Sequence, residues 1–256
     1  MCYRVFPLKI IIMLTMALFI AQHSSVAEPA TGEYSTKPGW GSITIREGID
    51  GKRHFELFTW GANRHTCDTE GRLEGEWAVP SNEEACRIRF AIDNHRLTVS
   101  YETEICEKFC GSRANFEGEY HLLPSGCTET TRKQRMDDFR TDNNNGLSEV
   151  ALKKMESFDR ECKEFLDDNN RDRFANDKAL ALFNLGRFDS CLKALDTTLV
   201  ADIYDNETTF NYDRFKELLN EKKGIAIPPS DWAVYESIAH STWQNRRRCK
   251  DALAGQ

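Results

Sequence analysis

The spacing of apolar residues changes near residue 127, and this change divides the chain into two halves. From Gly41 to Cys127, apolar and polar residues alternate in short runs. Turn residues separate these runs every ~8–12 positions, which is typical of half-buried antiparallel strands. The pattern predicts a small antiparallel β-barrel or sandwich. The runs are Ser42–Arg46, Phe55–Trp60, Trp77–Ala78, Arg87–Ile92, Leu97–Tyr101 and Ala114–Tyr120.

Beyond Cys127 the apolar residues recur about every 3.6 positions, which is the period of an α-helix. This part predicts a helical bundle of roughly five helices, with Ser148 as the cap of the first. The stretch from Thr128 to Lys133 has no apolar period and is predicted to be the polar junction between the halves. The predicted helices are 149–167, 173–185, 189–199, 212–222 and 231–252.

The first residues have the order of a secretory signal peptide. Arg4 and Lys9 precede an apolar stretch over residues 10–21, and small residues end at Ala27. The apolar stretch is too short for the roughly 20 residues that a membrane-spanning helix needs. We therefore expect cleavage after Ala27, no membrane anchor in the mature form, and a periplasmic or secreted protein. The predicted organisation is a signal peptide over 1–27, an antiparallel β domain over 28–127 and a helical domain over 128–256, an α+β fold.

Eight cysteines remain after the predicted cleavage, and an even number in an oxidising compartment indicates a disulfide framework. Their spacings contain no paired C-x2-C units, so we expect no metal site and no cofactor. The residues are Cys67, Cys86, Cys106, Cys110, Cys127, Cys162, Cys191 and Cys249.

Five of these cysteines precede the predicted boundary after Cys127 and three follow it. If all eight pair within the chain, an odd number of bridges must cross the boundary; the alternative is one free thiol in each half. We expect one crossing bridge. The expected pairs are Cys67–Cys86, Cys110–Cys127, Cys191–Cys249 and Cys106–Cys162.

Charge and motifs narrow the function classes. Loss of the signal peptide takes the formal net charge from -7 to -9, and this acidic balance argues against nucleic acid as a partner. It is compatible with a basic protein partner. No G-x-S-x-G, S-x-x-K or H-E-x-x-H motif is present, so we expect a non-enzymatic protein. Glu117 and Glu119 lie on one face of a predicted strand, and a solvated face is the preferred interpretation.

The segment Ala179–Leu195 resembles the helix–turn–helix core of a tetratricopeptide repeat, with Gly186 at the tight turn. The sequence contains one such unit, whereas a solenoid needs at least three. The resemblance implies a helical hairpin inside a bundle. A periplasmic scaffold or adaptor that binds proteins through this half is the alternative function.

The β half carries Phe55-x-Leu57-x-Thr59-x-Gly61-x-Asn63-x-His65-x-Cys67 and then Cys106-x3-Cys110-Gly111-x-Arg113-Ala114-x-Phe116-x-Gly118-x-Tyr120. This combination resembles exported bacterial lysozyme-inhibitor-like proteins and periplasmic immunity proteins. The resemblance covers at most residues 41–127. It implies a non-enzymatic protein that neutralises a cell-wall-lytic enzyme or a secreted antibacterial toxin. The Ser-Gly-x-x-Tyr inhibitory loop of the best-known inhibitors is replaced by Cys110-Gly111-Ser112-Arg113-Ala114, so that loop does not carry over.

A rigid loop binds a partner with little loss of ordering entropy. Two loops of the β half are tethered by cysteines, Gly61–His65 by Cys67 and Gly111–Phe116 by Cys110. The expected partner-binding residues are Asn63, His65, Ser112, Arg113 and Phe116. Arg113 is the strongest candidate, because a guanidinium bridges two carboxylate oxygens. Pairing with Glu117 or Glu119 is the alternative role of this arginine.

Besides the inhibitor and the scaffold, a third possible function is that of a hydrolase whose site has no recognisable motif.

Overall fold

The β half is a closed antiparallel barrel of eight strands in a computed structural model that describes residues 28–61, 65–204, 209–225 and 232–255. Each strand pairs with the next, and β1 pairs with β8 to close the barrel. The predicted signal segment lies outside the described residues. The strands are β1 Gly32–Ser35, β2 Gly41–Glu47, β3 Arg53–Trp60, β4 Thr66–Glu74, β5 Trp77–Pro80, β6 Ile88–Asp93, β7 Arg96–Tyr101 and β8 Gly118–Leu122.

Alternation along the strands fills the barrel with apolar side chains. The buried members include Ile43, Leu57, Phe90 and Val99. Strand β4 was not predicted, because its inward residues are only weakly apolar; they are Cys67, Thr69 and Gly71. Strand β1 was not predicted either, because it has only four residues. The predicted α+β fold is confirmed, and the β half is a barrel rather than a sandwich.

The helical half contains seven α-helices among the described residues. They are α1 Glu129–Asn144, α2 Ser148–Cys162, α3 Asp168–Asn184, α4 Phe188–Leu195, α5 Leu199–Tyr204, α6 Tyr212–Lys223 and α7 Trp232–Ala254. The segment expected to be a polar junction forms α1, which buries only Phe139 and Asn143 and so shows almost no apolar period. Ser148 is not a cap, because it is the first residue of α2 and its hydroxyl donates to the side-chain oxygen of Asn143 at 2.7 Å.

Two helical hairpins in this half share one turn geometry, 40 residues apart. In α1–α2, the N–H of Leu147 donates to the carbonyl of Asp142 at 2.9 Å, around Gly146 at φ 78°. In α3–α4, the corresponding bond joins Arg187 to Leu182 at 2.9 Å around Gly186. The positive φ at each turn favours glycine. The sequence motif identified only the second hairpin, whereas the described residues contain two with this turn.

All eight cysteines from Cys67 to Cys249 form disulfides. The pairs are Cys67–Cys110, Cys86–Cys106, Cys127–Cys162 and Cys191–Cys249. Such a framework is typical of chains that fold in an oxidising compartment. Within the described residues, no helix combines the length and the apolarity that crossing a bilayer requires.

Three of the expected pairings are wrong and Cys191–Cys249 is confirmed. The expectation favoured short loops, but the barrel brings Cys67 on β4 opposite Cys110, with 4.0 Å between their Cα atoms. One bridge does cross the predicted boundary, as the odd counts require, but it starts from Cys127 rather than Cys106. Because Cys127 packs into the core of the helical half, that bridge ties α2 to the segment leading into α1.

The two halves meet at β1 and the turn that follows it. A carboxylate oxygen of Glu33 accepts the N–H of Glu129 at 2.7 Å, at the start of α1. Lys37 pairs with Glu164 at 2.7 Å. A Cβ on Gly39 would collide with the backbone of Phe165 and Asp167, so the two backbone segments touch there without an intervening side chain. Backbone contact of this kind fixes the helical half against the barrel.

Asp172 is a buried carboxyl group in α3 whose protonation should contribute to the pH dependence of stability. Its Oδ2 accepts the N–H of Leu199 at 3.1 Å, and burial raises its pKa from 3.8 to about 7. A raised pKa means that the folded state favours the protonated form. The stability contributed by neutral Asp172 is therefore present below about pH 4 and is lost as pH rises through about 7.

We predict that Asp172→Asn removes this loss, because an amide stays neutral at every pH. The melting temperature of the variant minus that of wild type should be at least ~3 °C larger at pH 8 than at pH 4.5. For a chain of this size, about 1 kcal/mol of stability corresponds to 2–4 °C. Asp189→Asn, at an exposed position on α4, is the control and should show no such trend. A constant difference for Asp172→Asn across this range would contradict the assignment.

Candidate functional site

The segment Cys110–Phe116, here called the pinned loop, is held at several points along its length. Its first residue is disulfide-bonded to Cys67, and the N–H of Gly111 donates to the carbonyl of Thr66 at 2.9 Å. A tight turn follows, with the N–H of Ala114 donating to the carbonyl of Gly111 at 2.9 Å. These bonds hold the first half of the loop against the start of β4.

The second half of the pinned loop is held by the neighbouring strands. Thr59 Oγ1 donates to the carbonyl of Asn115 at 2.9 Å, and the Asn115 side chain accepts the N–H of Glu117 at 2.8 Å. The hydroxyl of Tyr120 donates to the carbonyl of Phe116 at 2.8 Å. The loop is therefore bonded at both ends before any partner arrives.

The two loops that the sequence singled out lie against each other. Gly61 touches the backbone of Arg113 and Ala114, and a Cβ at position 61 would lie 2.5 Å from the Ala114 Cα. On the other side, Gly111 lies against the imidazole of His65. The structure thus brings His65, Ser112 and Arg113 to one end of the barrel, whereas Asn63 lies outside the described residues.

The residues of the pinned loop divide into a surface and an anchor. Ser112 and Arg113 are exposed at its tip. Phe116 is fully buried and contacts Tyr101 edge-to-face, with 5.4 Å between ring centroids. Phe116 was expected to contact a partner, but in this structure it anchors the loop in the barrel core. Its large apolar surface explains that placement.

Arg113 has no ion-pair partner among the described residues. The acids that were its alternative partners are engaged elsewhere: Glu119 lies 3.6 Å from Arg96, and Glu117 accepts the N–H of Tyr101. The guanidinium is therefore an exposed charge on a fixed backbone. Such a group suits bidentate binding of a carboxylate from another molecule.

Metal chemistry finds little support among the described side chains. Cys127, Glu161 and Cys162 lie close enough together to resemble a ligand set. Both sulfur atoms belong to one disulfide, however, and only a thiolate binds a metal strongly. This group is a structural bridge beside an exposed acid.

A second concave surface was not identified from the sequence. It lies between the outer face of β2–β4 and the start of α1, and we call it the trough. Two adjoining clefts of about 290 Å³ and 420 Å³ form it. The residues that line it include Glu33, Trp40, Ser42, Thr44, Glu56, Phe58, Trp60, Asp68, Glu70, Glu129, Arg132, Phe165 and Asp167. The available signal was an outward-facing aromatic pair, Phe58 and Trp60, on a strand whose outer face should be polar.

No family model, curated protein or solved structure matches this chain. The resemblances described above therefore rest on the residues quoted for them.

We predict that Gly61→Ala displaces the pinned loop, because the new methyl group would meet backbone atoms of Arg113 and Ala114 that have no freedom to rotate away. Tryptic cleavage after Arg113, followed by reduction and mass spectrometry, measures the effect. Cleavage should be at least ~10-fold faster in the variant than in wild type.

Ser112→Ala is the matched control, because it shortens an exposed side chain of the same loop and should leave the cleavage rate unchanged. Equal cleavage of wild type and Gly61→Ala, with equal melting temperatures, would show that Gly61 does not hold the loop.

Proposed function

We propose that this chain is an exported, non-enzymatic inhibitor or immunity protein that binds and neutralises a peptidoglycan-degrading, lysozyme-like enzyme. The observation that carries the proposal is Arg113, which has no ion-pair partner among the described residues and sits on a loop bonded at both ends. Glycoside hydrolases generally depend on a pair of carboxylic acids beside the scissile bond. A fixed guanidinium that reaches one of those acids would block the site, and the rigid loop would lose little entropy on binding.

Charge and compartment support the same proposal. The net charge of about -9 after removal of residues 1–27 would accelerate encounter with a basic enzyme. The disulfide framework suits a periplasmic or secreted protein, and the signal peptide is proposed to be cleaved after Ala27. The resemblance of the β half to lysozyme-inhibitor-like proteins points to the same class of partner.

The alternative is a periplasmic scaffold that binds proteins through its helical half. The presence of two hairpins with the same turn, rather than one, is the observation that favours it. Their first helices, α1 and α3, line a cleft of about 340 Å³ that contains Arg132, Arg140 and Arg173. No residue of the pinned loop lines that cleft.

We predict that Arg113→Ala weakens binding of the partner enzyme by at least ~2 kcal/mol, about 30-fold, because the truncation removes a charge-assisted contact near the centre of the interface. The melting temperature should stay within ~1 °C of wild type, since Arg113 has no partner among the described residues. Inhibition of peptidoglycan hydrolysis by a panel of basic lytic enzymes, with direct affinity measurement, is the test.

Arg87→Ala is the matched control, because it removes an exposed arginine just before β6. It should leave affinity within 2-fold. Absence of binding and inhibition across a broad panel would refute the inhibitor proposal. If an enzyme binds equally well to Arg113→Ala but not to Arg173→Ala, whose side chain lines only the cleft between α1 and α3, the interface lies on the helical half.

A further inference from the structure

The trough owes its shape to small side chains on β2. Ser42 lies between the buried edge of β1 and Phe58, and Phe58 in turn pairs with Asp68 in the β-sheet register. One row further along, Thr44 pairs with Glu56, which pairs with Glu70. The short residues on β2 therefore leave a depression. Larger side chains of β3 and β4 rise on one side of it, and Glu129 of α1 borders it on the other.

Aromatic rings form the apolar part of the trough. Phe58 and Trp60 contact edge-to-face, with 4.7 Å between centroids and 86° between planes. Trp40 and Phe165 of the helical half line the same cleft. All four rings are half-buried, so part of each aromatic surface remains accessible.

The charge of the trough is strongly negative. Six carboxylates line it and one arginine, Arg132, opposes them; the acids are Glu33, Glu56, Asp68, Glu70, Glu129 and Asp167. Glu33 and Asp167 accept backbone N–H groups at the starts of α1 and α3, and Glu56 pairs with Arg46 at 3.0 Å. Asp68 and Glu70 have no cationic partner among the described residues.

Two of these acids oppose each other across strands. Glu56 on β3 is the direct register partner of Glu70 on β4, and both are exposed on the outer face of the barrel. Like charges in this arrangement destabilise a sheet. Arg46 offsets part of the repulsion at Glu56, and a ligand cation beside Glu70 would remove more of it, which favours a site for a positively charged ligand.

We propose that the trough binds a cationic peptide segment of a partner protein, through its lysine or arginine side chains. Aromatic rings attract such cations and cover their aliphatic stems, while the carboxylates neutralise the charged ends. The three strands span roughly 10 Å, which matches two or three side chains of an extended segment. No residue of the pinned loop lines this site, and its partner need not be a lytic enzyme.

The probe is a fluorescein-labelled octapeptide of alternating arginine and glycine, titrated with the full chain at low ionic strength and followed by fluorescence anisotropy. Asp68→Asn/Glu70→Gln should weaken binding at least 10-fold, since it removes two charges that have no cationic partner in the described part of the chain, without changing side-chain size. Phe58→Leu should weaken binding at least 3-fold. Arg113→Ala should leave the peptide affinity unchanged, which separates this site from the pinned loop.

Glu102→Gln/Glu104→Gln is the matched control, because it removes the same charge from exposed positions of the barrel outside the trough. It should change affinity less than 2-fold. Equal weakening by the two double variants would overturn the proposal and assign the binding to general electrostatic attraction. Absence of peptide binding would overturn it too. If a neutral chito-oligosaccharide quenches the tryptophan fluorescence and the peptide does not bind, the trough is a glycan-binding site instead.

Discussion

Strand β1 is the element on which the rest of the structure depends. Its four residues, Gly32–Ser35, bond to β2 on one side and to β8 on the other, and so close the barrel. The carbonyl of Glu33 also accepts the N–H of Leu123, where the chain leaves the barrel for the helical half. The side chain of the same residue caps α1. Closure of the barrel and attachment of the helices therefore rely on one short strand.

Both candidate surfaces follow from that arrangement. Closure fixes β8, and the hydroxyl of Tyr120 on β8 holds the far end of the pinned loop at Phe116. Attachment of α1 to Glu33 places Glu129 over β2 and thereby creates one wall of the trough. The pinned loop needs only the barrel, whereas the trough needs both halves. A variant that loosens the contact at Gly39 should therefore affect the trough and spare the loop.

The sequence predicts those parts of the fold in which burial follows a regular period. Strand β3 alternates between buried Phe55 and Leu57 and outward residues, and it was predicted within two residues. Helix α1 and strand β4 were missed because the residues that they bury are few or weakly apolar. The disulfide pairing was mostly wrong, because cysteines that are close in space are distant in sequence: 43 residues separate Cys67 from Cys110.

The candidate site shows the same limit. The cysteines beside them indicated both loops. The sequence did not show that Cys67 and Cys110 are bonded to each other, or that Phe116 lies in the core. The trough depends on which residues face one another across β2, β3 and β4. Strand register is set by the folded barrel as a whole. The sequence alone therefore does not show that the outward residues Glu56, Phe58 and Glu70 are neighbours.

The central claim is that the pinned loop is rigid before any partner binds, and amide hydrogen exchange of the free, oxidised protein tests it directly. The amides of Gly111 and Ala114 are bonded to the carbonyls of Thr66 and Gly111. If the account is right, both amides exchange as slowly as those in the centres of β3 and β4. Asn82 and Glu84 are exposed residues whose N–H groups have no acceptor in the described part of the chain. Exchange as fast as theirs would contradict the account and show that the loop is ordered only on binding.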